Sequence, residues 1–209
     1  MNGFSYLLDG YRRFRNNDWP RQHDRWAELR EGQSPQVMVI ACSDSRVDPA
    51  QIFDVSPGEI FVVRNVANLV PPFEEGGGRH GVSAALEFAV TQLEVPHIVV
   101  MGHGSCGGCQ AALSRRFHNA PEGEGGFIAH WVDMLDDARD RIVTEYGDGE
   151  EGTRALELET VRISLMNLRS FRFVADRVSN GTLSLHGAYF AIRDGILHLM
   201  GEDGAFAPA

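Results

Sequence analysis

The chain has 209 residues, 43% of them hydrophobic, which is enough for one domain with a substantial core and too few for two comfortable ones. Its 19 basic residues against 29 acidic give a formal charge of -10, which opposes nucleic acid and anionic membrane as partners and favours a small neutral substrate. No apolar run approaches the roughly 20 residues of a bilayer span, and the first 18 residues lack a basic start followed by an apolar block, so a soluble, unexported, cytoplasmic chain is expected.

Phe4 to Arg15 and Asp24 to Arg30 read as two helices separated by Pro20, an arm whose intermittent apolar face is Tyr6, Leu7, Tyr11 and Phe14. A buried strand Val37 to Ala41 follows, then a turn in which Asp48 reads as a helix cap and Pro49 as its first residue. Ile60 to Val63 and Ile98 to Met101 are further strands. Short Val/Ile-rich runs without polar alternation indicate strands covered on both faces, hence a parallel sheet. Between them, Val82, Ala85, Leu86, Ala89, Val90 and Leu93 recur at helical spacing, and Pro96 closes that helix.

Helices are expected over Gly107 to Phe117, Phe127 to Tyr146 and Thr153 to Arg169, with Gly147 to Gly152 as an exposed loop. Ile128, Trp131, Leu135, Ala138 and Ile142 share one face of the second. Leu183 to Ile192, Arg193-Asp194-Gly195 and Ile196 to Met200 carry a hairpin signature. The expected fold class is α/β: a central, mostly parallel sheet flanked by helices, with an N-terminal helical arm and a C-terminal β-hairpin. One domain is expected over 1–209, divided into an arm (1–31), a core bearing the candidate site (35–120) and C-terminal helices with the edge hairpin (121–209).

Cys42, His103 and Cys106 carry the chemistry. Three cysteines in a chain without an export signal argue against a disulfide framework and leave thiols for a metal. Ligands of an open parallel sheet bind outside the carboxyl ends of its strands, and Cys42 and His103 follow the first and third strands. Cys106 shares the turn of His103 and leads into a helix, whose N-terminus favours thiolate. Two thiolates and an imidazole make a zinc site with one coordination position unassigned, which points to catalysis over structure.

Such a zinc has no net charge and is a weaker Lewis acid than zinc on three imidazoles, so bound water ionises above about 7 and the rate climbs on the alkaline side of neutrality. Asp44 has two uses: as a fourth ligand, or as acceptor of a hydrogen bond that orients the nucleophile. Pairing with Arg46 decides between them, holding Asp44 ionised and off the metal. Cys109, further along the helix, is read as a packing residue, and Arg64 and Asn65 as binding turn carbonyls. His80, His97, His118, His130 and His186 are read as surface or core histidines.

Ala41-Cys42-Ser43-Asp44-Ser45-Arg46-Val47, Pro57-Gly58-Glu59, Val63-Arg64-Asn65-Val66-Ala67-Asn68 and Gly102-His103-Gly104-Ser105-Cys106-Gly107-Gly108 resemble the β-class carbonic anhydrases. The likeness extends to Ser164-Leu165-Met166-Asn167-Leu168-Arg169 and Leu185-His186-Gly187-Ala188-Tyr189-Phe190, most of the chain. It implies a zinc lyase that hydrates CO2 to bicarbonate and a proton through zinc-bound hydroxide. Cys42, His103 and Cys106 are then the Zn2+ ligands, and Asp44 and Arg46 the catalytic dyad. By the same resemblance Gln33 contacts substrate from a neighbouring subunit, and Phe61, Val66 and Phe88 line the substrate pocket. Gly107 and Gly108 read equally as helix-entry glycines or as the place where a bound anion approaches the backbone.

The family also implies a homodimer or an assembly of dimers, with residues 4–30 embracing the neighbour. One subgroup closes its aspartate onto zinc when bicarbonate fills a pocket that includes a tryptophan three residues before the first cysteine. Val39 holds that position, so a plant-like member without the gate is expected. Hydrolysis of CS2 or COS on the same fold, and a noncatalytic zinc-dependent structural or regulatory role, remain alternatives.

Overall fold

A computed structural model describes residues 3–76 and 79–209; the end of the Pro71–Gly78 loop lies outside the described residues. The chain divides after Ser34 into two compact units. In the first, α1 (Gly3–Arg13) continues through a π-helical turn, Phe14–Asp18, into α2 (Trp19–Arg21), and α3 (His23–Glu31) follows. The break expected at Pro20 falls at Gln22 (φ -110°, ψ 18°). Pro20 sits in the first turn of α2, where its missing N–H costs little. Trp19 and Trp26 stack at 5.3 Å, and Phe14 meets both edge-on.

The second unit is built on six strands in the order β2-β1-β3-β4-β5-β6. β1 (Val37–Cys42) pairs in parallel with β2 (Ile60–Asn65) and β3 (His97–His103), and β3 with β4 (Ser184–Ala191). β5 (Ile196–Met200) runs antiparallel to β4, as the hairpin signature requires. A third antiparallel strand, β6 (Phe206–Pro208), extends the hairpin; three residues with a proline carry no alternation to read.

Connecting helices are α4 (Pro49–Ile52), α5 (Gly81–Glu87), α6 (Gly107–Leu113), α7 (Gly126–Val132), α8 (Asp136–Tyr146), α9 (Glu150–Leu168) and α10 (Arg172–Ser179). Asp48 caps α4, its carboxylate accepting from Ala50 N–H at 2.9 Å. The helix before β3 passes into a π-helical turn over Phe88–Gln92. The one expected over 107–117 stops at Leu113, and the one over 127–146 is divided by a 3-10 turn at Asp133–Leu135. α9 starts at Glu150, so the expected Gly147–Gly152 loop is shorter and Gly152 is buried inside the helix. α10 was not expected from periodicity.

Met38, Ile40, Ile98 and Val100 face Leu86, Ala89 and Val90 near α5 and Val161, Leu165 and Leu168 of α9 in the largest core cluster. Each of the Met, Ile, Val and Leu side chains among them contributes about 1.5–3 kcal/mol when fully buried. The alternate strand residues Val39, Ala41, Met101 and Ala188 form a thinner layer on the opposite face, with Ile52 and Phe53. The site sits where the strand order turns back, at the carboxyl ends of β1 and β3.

Candidate metal centre

Both sheet ligands are the last residues of their strands, Cys42 of β1 and His103 of β3, one or two residues later than periodicity places the strand ends. Ladder hydrogen bonds therefore reach the ligands. Ser105 then takes a left-handed conformation (φ 56°), uncommon for a residue with a Cβ, and turns the chain so that Cys106 caps α6. Gly108 is required by close approach: a Cβ there would lie 2.7 Å from Val66 Cγ1 and 3.0 Å from Ala67 Cβ.

The ligand atoms of Cys42, His103 and Cys106 lie within 4.8 Å of one another, all buried, and the two sulfurs are 4.0 Å apart. Zinc with bonds of about 2.3 Å to sulfur at a tetrahedral angle needs sulfurs about 3.8 Å apart, so the cradle is nearly formed. His103 Nδ1 makes a 2.9 Å hydrogen bond to the Gly104 carbonyl, which requires the proton on Nδ1. Nε2 is then a bare acceptor, and it is buried without a partner. A buried lone pair facing two thiols is the donor set that zinc completes.

Contact with Cys106 and burial push the Cys42 thiol up to about 12, and the adjoining Cys109 thiol, with burial, does the same for Cys106. Burial, the largest single influence on His103, works against a charge, but Cys42, the Gly104 carbonyl and Asp44 together outweigh it and leave the pKa raised. A metal entering the site displaces two thiol protons. Cys109 is buried in the same apolar cluster and stands outside the ligand group.

Arg46 binds Asp44 bidentately, Nε to Oδ1 at 2.9 Å and Nη2 to Oδ2 at 2.7 Å, and its backbone N–H adds a third bond at 3.0 Å. These bonds hold the Asp44 carboxyl well below the usual carboxylate range. Arg46 Nη2 also donates to the Ser105 carbonyl at 3.0 Å, tying the β1 loop to the β3 loop. Arg64 donates to the carbonyls of Cys42, Asp44 and Val47 and pairs with Asp48 at 3.1 Å. It is the turn-carbonyl binder that the sequence suggests. Asn65 does likewise for Leu69.

Val66 stands directly after β2 at the ligand edge, 38% exposed. Phe88 is 46% exposed and stacks at 6.0 Å on Phe61, which lies near the start of β2 rather than at its ligand end. Gly107 opens α6, and a Cβ there would meet nothing within 4 Å. Gln33 belongs to the N-terminal unit. His97 and His186 meet at 3.2 Å near the start of β3, the opposite end of that strand from His103, and His130 pairs with Asp133. One residue the sequence did not single out is Glu157, which accepts the Cys106 N–H at 2.9 Å. Its signal was an acid within the apolar stripe of a helix.

A sequence model of the carbonic anhydrase family matches residues 37–197. Beta carbonic anhydrase 3 of Arabidopsis thaliana is 36% identical over the whole chain, which spans 81% of that relative. The mitochondrial beta carbonic anhydrase 6 of the same plant is 36% identical over 87% of the chain, which spans 62% of its length. Among solved structures, the β-carbonic anhydrase CcaA superposes with a TM-score of 0.91 at 29% identity, covering 100% of this chain and 93% of that one. A tetrameric β-carbonic anhydrase of Sordaria macrospora gives 0.81 at 26%, covering 96% and 98%. Because the sequence match runs through both ligand loops and the superposition takes in the whole fold, the chain belongs to the β-class carbonic anhydrases, the zinc lyases that interconvert CO2 and bicarbonate.

Proposed function

We propose that this chain catalyses the reversible hydration of CO2 to bicarbonate and a proton, with Cys42, His103 and Cys106 holding zinc and Asp44 and Arg46 serving the reaction. The observation that carries this reading is the bidentate Arg46–Asp44 pair, which keeps a carboxylate ionised next to the cradle while withholding it from the remaining coordination position. Zinc held in the cradle supplies a Lewis acid that makes water nucleophilic near neutral pH. Asp44 accepts a hydrogen bond from the attacking water and so aims its lone pair at carbon. Arg46 holds that acceptor in place, and Arg64 fixes the loop that carries both.

Val66, at the ligand edge, offers the apolar surface that a neutral linear molecule prefers, whereas Phe88 stacks on Phe61 near the start of β2, away from that edge. The open space beside the Gly107 backbone suits the bicarbonate anion. Gln33 is assigned to the substrate site of a neighbouring chain in a homodimer or an assembly of dimers; tetrameric relatives support an oligomer. Val39, buried in β1, supports the plant-like reading without a bicarbonate gate. A reducing compartment such as the cytoplasm suits three free cysteines. Hydrolysis of CS2 or COS and a noncatalytic zinc role are not favoured by the family match.

Stopped-flow assays of CO2, COS and CS2 on protein of measured zinc content test the reading. Hydration of CO2 that is lost with a chelator and restored by zinc is expected. Zinc-loaded protein that leaves CO2 untouched would sink it.

A further inference from the structure

Glu157 lies within α9 at 3% exposure, beside Leu156, Thr160, Val161 and Ser164, which are also buried. A carboxylate in such a position is costly unless its lone pairs are used. Among the described residues no cation is in ion-pair contact with it, although His103 and Arg154 act on it electrostatically. Its partners are the Cys106 backbone N–H, donating to Oε1 at 2.9 Å, and the Tyr189 hydroxyl, donating to Oε2 at 2.9 Å. Arg154 in turn donates to the Tyr189 oxygen at 3.2 Å and lies 5.0 Å over its ring.

Two glycines make this approach possible. A Cβ on Gly102 would come within 2.8 Å of Val161 Cγ2 and 3.3 Å of the Glu157 carbonyl, holding α9 away from the end of β3. A Cβ on Gly104 would meet the Tyr189 hydroxyl at 3.1 Å. The backbone on either side of His103 is thus bare where Glu157 and Tyr189 come in. Packing alone has no use for a carboxylate here, since an aliphatic side chain of that size suits the neighbouring stripe. A hydrogen-bond acceptor is needed because the Cys106 N–H belongs to a residue only 1% exposed, and the Glu157 carboxylate is the acceptor it finds.

We propose that Glu157 is a positioning residue of the metal centre: its carboxylate, steadied by Tyr189, holds the Cys106 backbone so that the thiol faces Cys42 and His103. The proposal rests on the assignment of those three residues as zinc ligands. It treats the carboxylate as an acceptor pair, not as a charge. Glu157 is hydrogen-bonded to the Cys106 backbone, and it is through that bond that it positions the thiol.

The test is zinc affinity by competition with a chromogenic chelator at fixed pH, read beside the visible spectrum of the cobalt-substituted protein. Glu157→Ala should raise the zinc dissociation constant about 10–100-fold and shift the sulfur-to-cobalt charge-transfer bands. Glu157→Gln should stay within about threefold of wild type, because its amide oxygen accepts the Cys106 N–H while its nitrogen donates to Tyr189. An alanine variant with wild-type affinity and spectrum overturns the proposal, as does a glutamine variant as weak as alanine. If Glu157→Ala does not fold, Tyr189→Phe carries the test: a rise of about tenfold is expected, and an unchanged constant overturns the idea. Wild-type protein that fails to bind zinc refutes the ligand assignment itself, which separates that failure from this one.

Discussion

Asp44 shows how one side chain can serve opposite ends depending on its neighbour. An unpaired carboxylate is available to a metal; Asp44, gripped by three hydrogen bonds from Arg46, is held in one orientation instead. Asp44→Asn removes the acceptor charge while keeping the shape, so zinc content should hold while kcat/KM for CO2 hydration falls by about 10²–10⁴. Unchanged turnover in a zinc-replete Asp44→Asn protein would dismiss the proposed role. Gly108→Ala tests the cradle differently, since the added methyl meets Val66 and Ala67 below 3.1 Å. Overpacking of this kind destabilises by about 1–3 kcal/mol, measurable as a lower urea midpoint. At this scale the sequence was most readable where chemistry is local: Cys42, Asp44 and Arg46 fall within five residues, and His103 and Cys106 within four. Glu157 was not, because its partner is 51 residues away and helical spacing reports burial without naming what a polar atom meets.

Elements were legible by type more than by boundary. Parallel strands announced themselves as unbroken apolar runs, but the polar residues that finish them, Arg64 and Asn65 or Gly102 and His103, carry no such signal and are strand only because the neighbour's ladder continues. The π-helical turns at Phe14–Asp18 and Phe88–Gln92 blurred the helical period without destroying it. α10 escaped because its eight residues offer one fully buried side chain, Val174. The contact of α9 with β3 is the packing that the site depends on most. Gly102→Ala should push α9 outward against Val161, lowering stability by about 1–3 kcal/mol in denaturant titration. A midpoint equal to wild type would show that α9 has slack.

For the whole molecule, metal loading is tied to proton release. With both thiols pushed up to about 12, each remains protonated at neutral pH in the metal-free protein, and zinc must displace both protons. Below those values, lowering the pH by one unit costs about tenfold per thiol, so the apparent zinc constant should weaken about 100-fold per unit on the alkaline side, and more steeply where the His103 imidazole, whose pKa is raised, takes up a proton as well. Chelator competition across neutral pH checks the slope; a pH-independent constant would contradict two-thiolate ligation. Val39 sets a second expectation at this scale: millimolar bicarbonate at fixed pH and ionic strength should inhibit hyperbolically. Cooperative inhibition would place the chain among the gated members. The parallel sheet and its ligand edge were readable from apolar runs and the residues that directly follow them, whereas the strand order is visible only in the structure and β6 depends on a partner strand to exist at all.

The His103 imidazole is oriented by the carbonyl of Gly104, a main-chain atom that every residue possesses. No substitution at position 104 deletes that acceptor, whereas the Cys106 backbone is anchored by a replaceable side chain from α9. The two halves of the centre therefore present unequal mutational targets. Errors that alter hydrogen bonding should accumulate on the thiolate side first, leaving variants whose imidazole still points correctly at a metal that the sulfurs no longer hold.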